Sequence, residues 1–508
     1  MSAKHSSVIR GLLRGAAPPP PPQTFQGRFG KLFPRLAAAR FGSSDAEQSA
    51  NLKLLADKMV ADFDAPKDGP DDEESGIPAL YTYLGQFIDH DLTFDPASSF
   101  QQRKDPDALT DFRTPAFDLD NVYGRGPGDQ PYLYQEDGKS FVLGDPFTLG
   151  DPNARDLPRT AAGRALIGDP RNDENTIVSQ LQGLFLHFHN RMEAQHPELD
   201  FAQLQQIVRF HYQYVVVHDF LSRIVNADVL DELKSGGHYA KDKLKFFHWH
   251  NDPFMPVEFS VAAYRLGHSM VRPGYRLNEH KLLPIFPVPP KFPRGLTGFE
   301  KMEPERGIDW GRFIDVDIRR YDGPAEVKKK RLQLAYRIDT ALVDPLSMLP
   351  KAVVSDKPRS LAQRNLRRGW LLGLPSGQDV ARAMGVPALA DKDILIGQGI
   401  DKPDKPLKNI VQAAGDVFAN NCPLWTYILA EAMQHKASVK APVKEKKVIK
   451  TPQLGPVGGR IVAEVILGLL FGDNTSLLSL DPHWHPKTGK NFALKDFVTY
   501  ALGEGPKL

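Results

Sequence analysis

The chain has 508 residues, 41% hydrophobic and 25% charged, which are the proportions of a folded globular protein and exclude general disorder. Its 64 lysines and arginines nearly balance 62 aspartates and glutamates, so no global field draws it onto nucleic acid or an anionic membrane. A single cysteine, Cys422, excludes an intramolecular disulfide framework.

Length alone suggests two or three domains. Residues 1–45 are small, basic and proline-rich, and the run Pro18 to Pro22 predicts an extended polyproline II spacer, so they are assigned to an N-terminal extension and residues 46–508 to the folded body. Lys4, Arg10 and Arg14 precede that run without a continuous apolar core, which makes a poor secretory signal. Cytoplasmic residence is the default expectation, with export by a non-classical route left open.

Gly85-Gln86-Phe87-Ile88-Asp89-His90-Asp91 follows an apolar, aromatic stretch and is predicted to be helical. On that helix Gln86 and His90 share a face, while Asp89 and Asp91 flank His90 at about 100° to either side. A lone buried histidine is ordinarily structural. Carboxylates crowded onto a greasy helix, however, each need a partner or a metal. Thr114-Pro115-Ala116-Phe117-Asp118-Leu119-Asp120 then offers a hydroxyl, a backbone carbonyl and two carboxylates. With Asp91 these hard oxygens suit calcium, although the loop lacks the glycine and terminal glutamate of an EF-hand.

Asp169 and Pro170 form a helix start signal, and Ile177, Leu181, Leu184 and Phe188 recur on one face. One helix from this start places Arg171 and Glu174 together in its first turn. Further on, the turn-rich stretch Gly373 to Gly377 ends a basic helical segment. Two charge runs, Lys328 to Arg331 and the lysines between Lys436 and Lys450, read as solvated surface. Ile461 to Phe471, interrupted by Glu464, is too short to cross a bilayer and reads as a buried helix. Convincing strands are scarce, so the expected fold is mainly α, with long irregular loops and few short strands.

Gly85 to Asp91 and Thr114 to Gly124 resemble the distal helix and calcium loop of the animal haem peroxidases, the myeloperoxidase-like branch of the peroxidase and cyclooxygenase superfamily. Three more segments match in the family's order: Arg171 to Glu174, Tyr264 to His268, and Asn365 to Arg368 running into Gly373-Leu374-Pro375. Leu454 to Leu470 resembles the C-terminal helix of bacterial members. The resemblance implies one large catalytic domain in place of the two or three suggested by length.

It also implies roles. His268 becomes the ligand of haem iron, with Asn365 accepting a hydrogen bond from its other ring nitrogen. His90 becomes the general base and then acid towards hydrogen peroxide, Arg171 the stabiliser of charge on the departing oxygen, and Gln86 the contact for halide and water. Arg265 and Arg368 are expected to meet the haem propionates. Asp89 and Glu174 match the carboxylates that form esters with haem methyl groups, making haem b covalent. The methionine that adds a sulfonium link in myeloperoxidase is replaced here by Asn175, so no such link is expected. Asp91, Thr114, Ala116, Asp118 and Asp120 match the calcium ligands. Haem attachment of the c type is excluded, since Cys-x-x-Cys-His is absent.

A rival histidine stands in Phe247-His248-Trp249-His250, which resembles the cyclooxygenase segment whose last histidine binds iron. Phenylalanine replaces the radical-forming tyrosine there, and His250 lacks the Arg-x-x-ligand context of Arg265 to His268. The expected activity is oxidation of halide, thiocyanate or a small aromatic donor by hydrogen peroxide, through a ferryl and porphyrin-radical state. The alternatives are a fatty-acid dioxygenase or a non-catalytic adhesion protein on the same fold. The preferred donor and the oligomeric state are not legible in these residues.

Overall fold

Apolar residues at helical spacing fold into long helices joined by irregular chain in the computed structural model, which describes residues 27–93, 110–111, 115–351, 353–354, 356–397, 406–504 and 506–508. The helices that build the core are α1 (Asp45–Lys58), α2 (Leu80–Leu92), α3 (Thr176–Gln195), α4 (Phe201–Val215), α5 (Leu361–Leu371), α6 (Gly377–Met384), α7 (Leu424–Gln434), α8 (Pro456–Gly472) and α9 (Leu494–Ala501). Several of their starts carry side-chain caps. Ser44 accepts from the Glu47 amide ahead of α1, Asp200 and Gln203 form a reciprocal capping box on α4, and Ser376 caps α6.

Stacked rings join the elements that matter for the site. Phe87 of α2 lies 4.3 Å from Phe185 of α3, and Phe188 lies 4.1 Å from Phe497 of α9, both pairs nearly parallel. α4 continues through a π-helical turn, Val216–Phe220, into the short helix Leu221–Ile224. The expected buried helix is found: α8 contains Ile461 to Phe471, and almost every residue of it is buried. Among the described residues no helix is long and apolar enough to cross a membrane.

Strands are short. β1 (Gly27–Gly30) pairs antiparallel with Thr110–Asp111 and parallel with Met255–Pro256, β2 (Glu74–Pro78) pairs with β3 (Leu334–Tyr336), and β4 (Lys436–Lys440) pairs with β5 (Val448–Pro452). The pair β2 and β3 is buried throughout. The fold is therefore mainly α with few short strands.

Three expectations need correction. First, residues 29–44 are not spacer. Phe29, Leu32, Phe33 and Phe41 join the apolar cluster that takes in residues from Phe29 to Leu508, and the buried Glu258 accepts from the amides of Leu32 and Phe33 at 3.0 and 3.1 Å. The composition of this stretch hides four aromatic or branched anchors among alanines and arginines. The proline run itself lies outside the described residues. Second, α3 does not start at Asp169. Asp169 caps a separate 3-10 turn, Pro170–Asp173, and the chain then extends at Asn175, whose side chain accepts from the amides of Ile177 and Val178 to begin α3 anew. Third, Arg331 at the end of its basic run is buried. Its guanidinium grips Glu74 at 2.6 and 2.8 Å, and Arg272 reaches the same carboxylate at 2.7 Å. The other lysines of both runs lie on the surface, those of β4 on its outer edge.

Candidate functional site

The distal-type residues come from the last turns of α2. His90 is 5% exposed, and its Nδ1 lies 2.7 Å from Oδ1 of Asn172. Asn172 is itself oriented, because its Nδ2 donates to Oε1 of Gln182 on α3 at 2.8 Å. With Oδ1 thus committed to accepting, the His90 proton belongs on Nδ1 and Nε2 is the basic atom. Burial first, and then the Arg171 guanidinium, lower the His90 pKa to about 4, so the ring is neutral at neutral pH.

Arg171 sits on the 3-10 turn and reaches back to α2. Its Nη2 donates to the carbonyls of His90 and Thr93, and Nη2 and Nε both meet the buried carboxylate of Asp169. It therefore clamps the C-terminal end of α2, where orphan carbonyls and helix dipole both favour a cation. Gln86 donates to Oε1 of Glu174 and accepts from Nδ2 of Asn175 at 3.2 Å. Burial, opposed by Arg171 and reinforced by Asp169 and Asp89, lifts Glu174 to about 7. Asp89 behaves oppositely. Burial pushes its carboxyl up, but Arg265, with Nη1 at 3.2 Å, together with His90 and Arg171 outweighs that and holds it below the ordinary value.

His268 closes the 3-10 turn Ala263–His268. The Asn365 carboxamide on α5 lies 2.7 Å from its Nδ1. The nearer amide atom is Nδ2, whereas the expected contact has Asn365 accepting; a half-turn of the amide exchanges its two ends without moving the ring. Burial and then Arg265 lower the His268 pKa to about 3. The indole of Trp425 on α7 donates to the Arg265 carbonyl at 3.3 Å and steadies the turn.

One cavity of about 460 Å³ joins these groups, within the range that ligand pockets occupy. Gln86, Asp89, His90, Arg171 and Glu174 line it together with Arg265, His268 and Arg368. Phe29, Phe220, Val261, Leu266 and Leu372 are among its apolar walls. Arg364, Arg368 and Leu372 recur at spacings of four and bring one face of α5 to the cavity. Ser260 Oγ and Tyr264 OH are buried there without a hydrogen-bond partner among the described residues.

His250, the rival histidine, is exposed and does not line this cavity. Its segment is strapped to α8 instead: Glu464 accepts from the amides of Lys245, Phe246 and Phe247, and Phe247 and Trp249 pack over Gly468.

The expected calcium residues are brought together in part. Asp91, Ala116 and Asp118 are buried and Asp120 is half-buried, while Thr114 lies outside the described residues. Burial, followed by the facing carboxylates of Asp120 and Asp91, pushes Asp118 well above the ordinary carboxylate value, against the pull of Arg209. Among the described residues no three His, Cys, Asp or Glu side chains form a group able to hold a metal ion. Sequence reasoning missed three members of the site. Asp473 also faces Asp118, Gln182 orients Asn172, and Asn172 holds His90; only Asn172 lay inside a motif already singled out.

The family description "Animal haem peroxidase" matches residues 100–289, which contain Arg171, Glu174, Arg265 and His268. Thyroid peroxidase of Sus scrofa is 26% identical over 202 residues, covering 34% of this chain and 20% of that protein. Thyroid peroxidase of Rattus norvegicus is 22% identical over 419 residues, covering 76% of this chain and 40% of that protein. The chain thus spans less than half the length of the curated relatives it matches. Among solved structures, peroxidase A from Dictyostelium discoideum superposes with a TM-score of 0.57 at 16% identity, covering 90% of this chain and 89% of that one. A fatty acid alpha-dioxygenase of Oryza sativa, a point variant solved with palmitic acid, superposes with a TM-score of 0.51 at 16% identity, covering 88% of this chain and 77% of that one. Motif order and matched residues agree in likening this chain to the animal haem peroxidases, and the helical fold is shared with peroxidase A.

Proposed function

We propose that this chain binds haem b in the cavity between His90 and His268 and uses hydrogen peroxide to oxidise small donors, with halide, thiocyanate and small aromatic compounds as the donor class. The observation that carries the reading is the pair of imidazoles on one cavity, each held by a carboxamide. The lining fits haem: apolar walls for the macrocycle, a neutral imidazole in His268 for the iron, and the guanidinium groups of Arg265 and Arg368 for carboxylates. When bound, the haem supplies the two-electron reduction of peroxide.

The chain's own residues handle protons and charge. Nε2 of neutral His90 takes a proton from entering peroxide and returns it to the departing oxygen, while Asn172 keeps the ring in the tautomer that allows it. Arg171 places positive charge beside that transfer and fixes the carbonyl of His90 itself. Gln86, tied to Glu174 and Asn175, presents an amide to water or a halide.

Asp89 and Glu174 are the proposed ester sites, since both line the cavity and the near-neutral pKa of Glu174 keeps much of it as the acid. Asp91, Asp118 and Asp120 are the proposed calcium carboxylates, supported by the repulsion that a cation would relieve. The test is haem-replete protein with an absorption band of ligated haem. His90→Ala is expected to keep that band and lose about 100-fold or more in the stopped-flow rate with peroxide. Acid extraction read by mass spectrometry reports the esters, and elemental analysis reports calcium. A variant reacting at the wild-type rate removes His90 from its role, and oxygen uptake with palmitate in the absence of peroxide would favour a dioxygenase instead.

A further inference from the structure

A second cavity, of about 450 Å³, opens at the surface between the π-helical turn and the chain preceding α9, lined by His218, Asp219, Arg223, Lys490 and Phe492 among others. A hydrogen-bonded pair, Tyr81 and Asp219, links it to the inner cavity. Tyr81, near the start of α2, is 1% exposed and lines the inner cavity, and its hydroxyl donates to Oδ2 of Asp219 at 2.5 Å. Asp219 lines the outer cavity, where its Oδ1 accepts from Arg223 Nε at 3.0 Å and its Oδ2 also accepts from the Leu494 amide at 2.9 Å. The Arg223 guanidinium lies 4.9 Å above the Tyr81 ring. The π turn makes this possible: three successive residues face both ways, with His218 and Asp219 on the outer cavity and Phe220 on the inner one. A π turn in an otherwise α-helical run is a local strain often kept for function.

We propose that the outer cavity is a second donor site, for an anionic aromatic compound too large to enter the inner cavity, and that Tyr81 relays the electron between them. The proposal rests on the peroxidase reading above. The chemistry of the lining selects the ligand. Arg223 and the exposed Lys490 attract an anion, and the half-buried Val439, beside the largely buried Ile77 and Phe492, offers apolar surface to a ring. The relay balances. The Tyr81 phenol would give one electron to haem that peroxide has oxidised, and its proton would cross the existing hydrogen bond to the Asp219 carboxylate, leaving a neutral phenoxyl. A donor in the outer cavity then supplies one electron, the proton returns from Asp219 to the phenolic oxygen, and the donor departs oxidised by one electron. Two donors are consumed per peroxide. A buried carboxylate already bonded to the phenol is what such a transfer needs, because an oxidised phenol must lose its proton at once.

The test uses haem-replete holoenzyme, with the disulfonated azino dye ABTS as the large anionic donor and iodide as the small one. Tyr81→Phe keeps the ring and its packing. It is expected to lower the ratio of dye to iodide turnover by about tenfold and to remove a tyrosyl signal from the electron paramagnetic resonance spectrum of peroxide-treated, frozen enzyme. Lys490→Glu, at the surface, is expected to weaken dye binding to the resting holoenzyme about threefold or more in a titration without peroxide. An unchanged turnover ratio in Tyr81→Phe, or unchanged dye binding in Lys490→Glu, overturns the proposal. A holoenzyme that binds the dye yet oxidises neither donor overturns the peroxidase reading, and the relay with it.

Discussion

The tautomer of His90 is set two bonds away from it. Gln182 accepts from Asn172 Nδ2, which turns Oδ1 towards His90 and leaves Nε2 as the base. Asn172→Ala is therefore expected to slow the reaction with peroxide about 10- to 100-fold while leaving the haem spectrum intact, as stopped-flow mixing would show. A rate within a factor of about two of the wild type would mean that burial alone orients the ring. His90 and His268 stand out in the sequence because their neighbours resemble the family's motifs, and both line the cavity, whereas Asn172 lies within the segment Arg171 to Glu174 with no role of its own marked there. An asparagine beside an arginine gives no sign in one dimension of which way its amide points. Arg171 shows the converse. Its assignment to the site agrees with the cavity lining, but its grip on the carbonyls of His90 and Thr93 depends on α2 ending where the 3-10 turn passes.

At the scale of elements, the break between the 3-10 turn and α3 decides where Arg171 and Glu174 point. Continuous helix from Asp169 would carry both side chains around the α3 axis, whereas the extended Asn175 lets the turn face α2 independently. Asn175 has two duties, capping α3 and donating to Gln86. Asn175→Ala is expected to cost about 1 kcal/mol, read as a lower thermal midpoint, and to loosen Gln86. An unchanged midpoint would show that Asp169 alone holds the junction. Two start signals stood in the sequence, Asp169-Pro170 and Asn175-Thr176, and the stronger one concealed the second. The β4–β5 hairpin escaped for a different reason. Its alternation has the period of a strand, but on β4 only Ala437 and Val439 turn inward among exposed lysines and serine, so the segment reads as a basic surface run. The π turn at Val216–Phe220 has no residue pattern of its own.

Across the whole molecule, buried neutral histidines make the fold sensitive to acid. His189 shares its ring nitrogens between the Tyr123 hydroxyl and the Lys139 carbonyl, each at 3.0 Å, and burial lowers its pKa from the usual 6.5 to about 4. The folded state thus binds fewer protons here than the unfolded state. Stability from this site is complete above pH 6.5 and declines as pH falls towards 4, by roughly 3 kcal/mol in all. Urea unfolding of the wild type and His189→Gln should show the wild-type advantage shrinking over that window. A constant difference would mean that His189 stays neutral throughout. The near balance of charge and the long helices were legible from composition and period, but the role of residues 29–44 was not. A few aromatic anchors in an alanine-rich stretch become core only when Glu258 and the cavity wall meet them.

That wall has a consequence for how the protein comes to be. Its residues run from Phe29 to Leu372, so no contiguous stretch of emerging chain contains the pocket. Contacts between such distant residues bear a loop-closure penalty and form late. During synthesis the two imidazoles are made far apart in time, and the helix bearing Asn365 arrives after both. On the haem reading proposed above, cofactor capture is a closing step of biogenesis, and newly made chain awaiting it carries an apolar chamber open to its surroundings.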